Sequence, residues 1–354
     1  MAYTTINDPT DYFNTVLYTG NNTYPRTIDG FGFQPDFVWA KPRSVAYGHM
    51  LFDVIRGVGN TNFLDTRLSD AEGTSSVNAN IDSFDSDGYI IDSPSSTDTQ
   101  NASGLTMATW GWKAGGTGVS NTDGSITSTV SANTTSGFSI VTYTGTGSAG
   151  TVGHGLNNAP EMIILKRRDG GSGNTNWFVG HKDLTSWGYR IFLNVNLAEA
   201  ADSDFLANTA PTSNHFSVST DISTNGSSGS QLAYCFHSVK GFSKIGSYTG
   251  NGSTDGTFVY TGFKPAWVMV KRTNTTGSWI IFDNKRNTFN PEDKFLYPNL
   301  NNAEGTLTAL DFVSNGFKFR NADTFWNASG STYIFMAFAE SPFTTSTGVP
   351  ITAR

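Results

Sequence analysis

Cysteine is nearly absent from this chain: Cys235 is the one thiol among 354 residues. That excludes an intramolecular disulfide and a cysteine-rich zinc site. Cys235 itself, inside the run Leu232-Ala233-Tyr234-Cys235-Phe236, reads as a small buried apolar residue. Charge is scarce as well. Asp, Glu, Lys and Arg make up 14% of the chain, against about 25% in an ordinary soluble protein. The net charge of −7 leaves no basic excess to displace counterions from nucleic acid or to seek an anionic membrane. No run approaches the roughly 18 apolar residues of a membrane-spanning helix, and no stretch carries apolar residues at helical spacing. The opening Met1-Ala2-Tyr3-Thr4-Thr5-Ile6-Asn7-Asp8-Pro9 has no basic segment followed by an apolar one, so no signal peptide is read there. The expectation is a protein that folds in a cytoplasm.

What replaces the missing charge is Gly, Ser, Thr and Asn, with 26 Phe, 13 Tyr and 8 Trp. The small polar residues favour turns, and the aromatics favour strands. The chain repeats itself. Tyr-Thr-Gly occurs at Tyr18-Thr19-Gly20, Tyr143-Thr144-Gly145 and Tyr248-Thr249-Gly250. A Gly before a large apolar residue follows at Gly30-Phe31, Gly155-Leu156 and Gly262-Phe263, and a strand-like run then ends in Lys41, Lys166 or Lys271. The interval from Tyr to Lys is 23 residues in all three cases. Ala-Glu recurs at Ala71-Glu72, Ala198-Glu199 and Ala303-Glu304, and Asn-Ala-Ser-Gly at 101–104 and 327–330, with the looser Asn225-Gly226-Ser227-Ser228-Gly229 between them. Leu51-Phe52 of the first copy pairs with Trp177-Phe178 and Trp279-Ile280.

This register divides the chain into an N-terminal arm (1–14), copies at 15–113, 137–240 and 241–343, a Gly/Ser/Thr-rich connector (114–136) and a polar tail (344–354). The second and third copies abut, whereas the connector is expected to let the first move. Within the third copy, runs at 257–260, 266–271, 278–283, 294–297, 307–313, 317–320 and 333–339 alternate with turn residues. The fold class is therefore all-β, as three tandem antiparallel β-sandwich domains of jelly-roll or lectin-like type. Trp267-Val268-Met269-Val270 and Phe335-Met336-Ala337-Phe338 are apolar on both faces, so both strands are expected to be covered on both sides. Two arrangements are open: a compact pseudo-threefold unit, or copies strung along an axis.

Chemistry is sparse. His49, His154, His181, His215 and His237 show no metal-binding or catalytic spacing. Asp82, Asp85 and Asp87 before Gly88 form the best metal-like cluster, but a calcium-loop register fails, with Ser83 and Pro94 where ligands belong. Glu72, Glu199 and Glu304 recur in all three copies, which points to the fold rather than to catalysis. Asp53-Val54-Ile55-Arg56 and Asp283-Asn284-Lys285-Arg286 share Asp-x-x-Arg, read as a turn-stabilising ion pair that is lost at His181-Lys182-Asp183-Leu184. The candidate binding residues are the loop aromatics Trp187, Trp326, Tyr24 and Tyr47, whose ring faces could stack on a sugar. Trp39, Trp110, Trp112 and Trp267 lie in strand runs and read as core. No cofactor and no catalytic residue is expected.

The segments Gly241-Phe242-Ser243-Lys244-Ile245-Gly246-Ser247-Tyr248-Thr249-Gly250-Asn251-Gly252, Phe282-Asp283-Asn284-Lys285-Arg286-Asn287-Thr288 and Trp110-Gly111-Trp112-Lys113 carry a resemblance. With them the chain resembles tandem-repeat virion structural and tail-fibre-like proteins of tailed bacteriophages of marine and cyanobacterial hosts. The resemblance implies a non-enzymatic protein on the virion surface, made in the host cytoplasm. It implies other virion proteins as partners, a host surface glycan or protein as receptor, and a homo-oligomer, with a trimer favoured. A tail fibre or receptor-binding appendage is the first reading and a capsid decoration or head fibre the second. A polysaccharide depolymerase is the third, and it requires an acidic groove in one copy only.

Overall fold

The repeated tripeptide ends the first strand of each copy, and its composition has a steric cause. A Cβ on Gly20, Gly145 or Gly250 would lie 2.1, 2.2 or 2.4 Å from the carbonyl oxygen of Ala102, Gly226 or Ala328, so no other residue fits against that turn. The Tyr two positions earlier anchors the same turn: Tyr18 donates its hydroxyl to Gln100 O at 3.0 Å, Tyr248 to Trp326 O at 2.8 Å, and Tyr143 to Thr224 O. The turn Asn closes the motif, because Asn101, Asn225 and Asn327 each accept a backbone N–H from the residue after the Gly. The recurring glycines 30, 155 and 262 have φ of 96°, 71° and 84°, which explains their recurrence.

The computed structural model describes residues 3–73, 80–92, 99–170 and 175–350. Pro94 of the calcium-like register, Met1 and Ala2 of the arm and residues 351–354 of the tail lie outside them. The described chain is nearly all β: beyond one 3-10 turn and the four-residue helix Ile222–Asn225, its elements are strands in antiparallel sheets. Twelve strands form three four-stranded arrays of identical connectivity, the second of them embedded in an eight-stranded sheet. They are β1 (Phe13–Thr19), β2 (Phe37–Pro42), β3 (Met50–Asp53) and β4 (Thr106–Trp112) in the first copy. The second has β5 (Phe138–Thr144), β6 (Met162–Arg167), β7 (Phe178–His181) and β8 (Ser230–Phe236). The third has β9 (Ser243–Thr249), β10 (Phe263–Arg272), β11 (Ile280–Asp283) and β12 (Thr332–Pro342). Their orders are β1-β4-β2-β3, β5-β8-β6-β7 and β9-β12-β10-β11. Each copy adds a second antiparallel sheet, in the third copy from Phe258–Tyr260, Glu292–Phe295, Gly305–Val313 and Gly316–Phe319. All seven strand runs read in the third copy have a counterpart. The strand Ser243–Thr249 was missed, because its Ser, Gly and Thr read as turn.

The double-faced apolar strands are explained by two kinds of core. On β10, Val268 and Val270 face a core drawn from the third copy alone, with Phe312, Phe317 and Phe335. Trp267 and Met269 face the other way, into one core that all three copies share. Successive residues of a strand alternate between its faces, so a sheet covered on both sides needs both sets apolar. In the shared core Trp112, Phe236 and Phe338 occupy equivalent positions on β4, β8 and β12. Phe338 lies 5.7 Å from Trp112 and 6.3 Å from Phe236 between ring centroids, and Phe37 lies 4.4 Å from Tyr234. These are the separations of favourable edge and offset aromatic pairs.

Backbone contacts between copies close a cycle. Glu304 N–H donates to Arg43 O, Glu72 N–H to Arg168 O and Glu199 N–H to Thr273 O, each at 2.8 Å. The first copy thus meets the third, the second meets the first and the third meets the second, which is the compact arrangement rather than the string. Two expectations change. The segment 114–136 carries the strands Val119–Asn121 and Ser128–Asn133, the latter paired along β5. Its Ser/Thr content reads as a connector, but Ile126 and Val130 are buried in the second copy's core. The first copy, expected to move, puts Phe37, Trp110 and Trp112 into the shared core. The repeat match also shifts: Met50, Phe178 and Ile280 pair with Ala40, Leu165 and Val270, so His49, not Leu51, is the counterpart of Trp177 and Trp279.

Candidate functional site

The lysine that recurs in every copy is spent on a junction. Lys41, Lys166 and Lys271 are buried, and each donates its ammonium to a carbonyl of the neighbouring copy: Asn301 O at 3.5 Å, Ser69 O at 3.1 Å and Leu197 O at 2.9 Å. Burial pulls them down to about 7, 8 and 7 respectively. Trp177 and Trp279 donate their indole N–H to Asp65 O and Phe192 O, at 3.2 and 2.7 Å. His49 does the same for Tyr297 O at 2.9 Å. Its tautomer follows from its other nitrogen, which accepts the Trp39 indole N–H at 2.8 Å. Burial, with Lys41 nearby, holds the imidazole well below its usual value and therefore neutral.

The Asp-x-x-Arg pairs sit in the same junctions. Arg56 bonds Asp53 at 2.5 Å and Glu72 at 2.8 Å, and Glu72 also takes Arg168 at 2.7 Å. Arg286 bonds Asp283 at 2.6 Å and Glu304 at 3.2 Å, and Glu304 also takes Arg43 at 2.8 Å. Each Asp receives one further donor across the junction, Tyr234 Oη on Asp53 at 2.8 Å and Trp110 Nε1 on Asp283 at 3.0 Å. At the third junction the corresponding residues are His181, Leu184, Glu199, Thr273 and Met336. Four of the five positions have lost their charge or donor together, and Glu199 accepts from Thr185 instead. The concerted exchange is what electrostatics demands, since one surviving charge would be buried without a partner.

A cleft apart from this framework is lined by residues of the third copy alone. The loop 284–291 joins β11 to the strand Glu292–Phe295. It is held at two points: Asn290 donates to Phe312 O at 2.8 Å and accepts Phe312 N–H at 2.9 Å, and Asn287 accepts Lys294 N–H at 3.0 Å. The loop covers a cleft of about 430 Å³ lined by Lys264, Asn284, Lys285, Thr288, Phe289, Asn290, Glu292, Phe312 and Glu340. At the rim Lys264 pairs with Glu340 at 2.5 Å. Inside, Glu292 is 2% exposed, and neither its Oε2 nor the buried Oδ1 of Asn284 meets a protein donor. Burial, followed by the charge of Asp283, pushes the Glu292 carboxyl up to about 9, so it is a neutral acid at pH 7. Phe289 projects from the loop, 76% exposed. The cleft thus offers a carboxyl that donates and accepts, an amide oxygen that accepts and a free aromatic face.

The aromatic residues singled out from the sequence are not gathered in this cleft. Trp326 is a core residue, 1% exposed, with its indole N–H on Asn321 Oδ1 at 2.7 Å. Its polar neighbours read as a loop, but they are the turn that Tyr248 anchors. Trp187 is half-buried against the second copy's own core, and Tyr24 against the first copy's. Tyr47 is 45% exposed on the first copy. Of the acidic cluster, Asp87 receives Gly30 N–H at 3.2 Å and Gly32 N–H at 2.6 Å, Asp85 receives Ser83 Oγ at 2.8 Å, and Asp82 is exposed. Among the described residues no group of three His, Cys, Asp or Glu could hold a metal ion. Sequence reasoning missed Glu292, although a signal existed. Leu51 meets Leu64 and Ile281 meets Leu296 in equivalent bridges. Between them, Asp53 to Leu64 spans eleven positions and Asp283 to Leu296 spans thirteen, so the third copy's loop is longer.

A search among curated proteins finds no match to the chain. A family profile matches residues 8–342, from the N-terminal arm to the last strand of the third copy. The chain belongs to the family described as Domain of unknown function (DUF7483).

Proposed function

We propose that this chain is a non-enzymatic structural protein of a tailed-bacteriophage virion, an exposed tail fibre or receptor-binding appendage that attaches to a host surface. In this reading each copy is a lectin-like or jelly-roll sandwich, the assembled form is a homo-oligomer, a trimer by preference, and its partners are other virion proteins. The observation that carries it is a division of labour. The recurring lysines and glutamates are consumed in a cycle of contacts around one aromatic core, whereas the cleft with Glu292 and Phe289 is lined by one copy and open to solvent. A rigid frame that presents one distinct surface suits attachment better than turnover. The resemblance of the repeated segments to tail-fibre-like proteins supplies the setting.

Antibody labelling of intact particles in the electron microscope tests the reading. Label at the tail supports attachment, label over the head favours capsid decoration, and bare particles sink both. Light scattering of the purified chain gives the oligomeric state, and a monomer would remove the trimer. The depolymerase reading requires an acidic groove in one copy, whereas in this cleft Glu292 is neutral and Glu340 is paired with Lys264. Release of reducing ends from a host polysaccharide, abolished by Glu292→Gln, would replace the non-enzymatic reading with it.

A further inference from the structure

We propose that the cleft of the third copy is a binding site for a neutral, hydroxyl-rich sugar, with Asn284 and Glu292 as its polar floor and Phe289 as its stacking face. The inference rests on the attachment reading for the biological source of the sugar, though not for the chemistry of the site.

Two buried acceptors without protein donors are the starting point. Asn284 Oδ1 and Glu292 Oε2 line one cleft, and each is removed from bulk solvent. Leaving such a group unsatisfied costs about 1–3 kcal/mol, so an occupant that displaces water from the cleft has to bring hydrogen-bond donors. The environment then narrows the kind of donor. An ammonium would meet Lys264 and Lys285 at the rim, and the one acidic side chain there, Glu340, is already paired with Lys264. A carboxylate would find the two lysines but would leave both buried acceptors unmet. A hydroxyl both donates and accepts, which matches an amide oxygen beside a neutral carboxyl.

Size and shape agree. About 430 Å³ lies within the range of small-ligand pockets. Phe289, at 76% exposed, is a large aromatic ring with no packing role. Such a ring loses unfavourable contact with water when it covers the apolar face of a sugar ring. The loop that carries it is pinned through Asn290 and Asn287, so the ring and the polar floor are held without a ligand to order them.

The test is ligand-observed saturation-transfer NMR on the full chain with glucose, galactose, mannose and N-acetylglucosamine, each alone. Transfer from at least one of them is expected. It should weaken by about tenfold or more in Asn284→Ala and in Phe289→Ala, and stay unchanged in Tyr47→Ala. Phe289 is too exposed for its loss to unfold the protein, so that variant separates binding from stability. No transfer from any sugar overturns the proposal. So does transfer that both cleft variants leave intact, or stronger transfer from ethanolamine than from every sugar. Sugar binding by a chain that is missing from particles would sink the virion reading alone. Labelled particles with no sugar binding would sink this inference alone.

Discussion

Tyr234 of the second copy donates its hydroxyl to Asp53 of the first at 2.8 Å, across 181 positions of sequence. Burial pushes the phenol well above its usual value, which keeps it a donor near neutral pH. Asp53 also holds Arg56 at 2.5 Å, and both side chains are fully buried. Tyr234→Phe leaves Asp53 short of one donor inside the shared core. We expect a loss of about 1–3 kcal/mol, read from urea unfolding. A change below about 0.3 kcal/mol would mean that the Arg56 guanidinium and the backbone N–H groups of Ile55 and Arg56 satisfy the carboxylate without Tyr234.

The junction between the second and third copies tests whether the exchanged residues act as a set. Leu184→Arg places a cation at the position of Arg56 and Arg286 with no acid at 181, and should cost about 3–5 kcal/mol. Adding His181→Asp supplies the acid and should recover part of that loss, with a coupling of about 0.5–3 kcal/mol in a double-mutant cycle. Strict additivity would show that the two positions are independent.

A shared core makes the copies cooperative. Near-ultraviolet and far-ultraviolet circular dichroism should report one coincident transition on heating. An isolated third copy, residues 241–343, would expose Trp267, Met269, Trp279, Met336 and Phe338 and should aggregate. Two resolved transitions in the full chain, or a soluble folded third copy, would contradict the shared core.

Glu292 imposes a pH dependence whose sign is fixed by its shift. Its folded value is about 9 against an ordinary 4.5, so between those values the folded state holds a proton that the unfolded state has released. Its contribution therefore lowers stability as pH rises through that window. Lys41, Lys166 and Lys271 act oppositely. Their folded values of about 7, 8 and 7 lie below 10.5, so their contribution raises stability with pH from about 7 upward. Glu292→Gln should thus gain stability over the wild type progressively from pH 5 to pH 9, as seen in unfolding midpoints. A difference that stays constant across that range would refute the neutral buried acid.

Much of this architecture is written in local chemistry. The Tyr-Thr-Gly tripeptide, the turn Asn and the glycines of positive φ are demanded by steric and hydrogen-bonding needs within a few residues of each strand end. They recur because the same backbone recurs, and they reveal the three copies, while the apolar runs 267–270 and 335–338 reveal the two-sided cover of β10 and β12. Trp267 and Trp110 are recognisable as core from the runs around them. Trp326 was not, since a buried ring beside a polar turn has the same neighbours in sequence as an exposed one. What the amino-acid sequence determines by itself is the all-β class, the period of the repeat and the residues each strand must bury. Only the tertiary structure decided which copy each lysine reaches, that Tyr234 meets Asp53 and that Glu292 shares a cleft with Asn284. The physical reason is distance along the chain: inter-copy contacts join residues that no periodicity relates, and a carboxyl becomes an acid of about 9 only once packing has removed it from water.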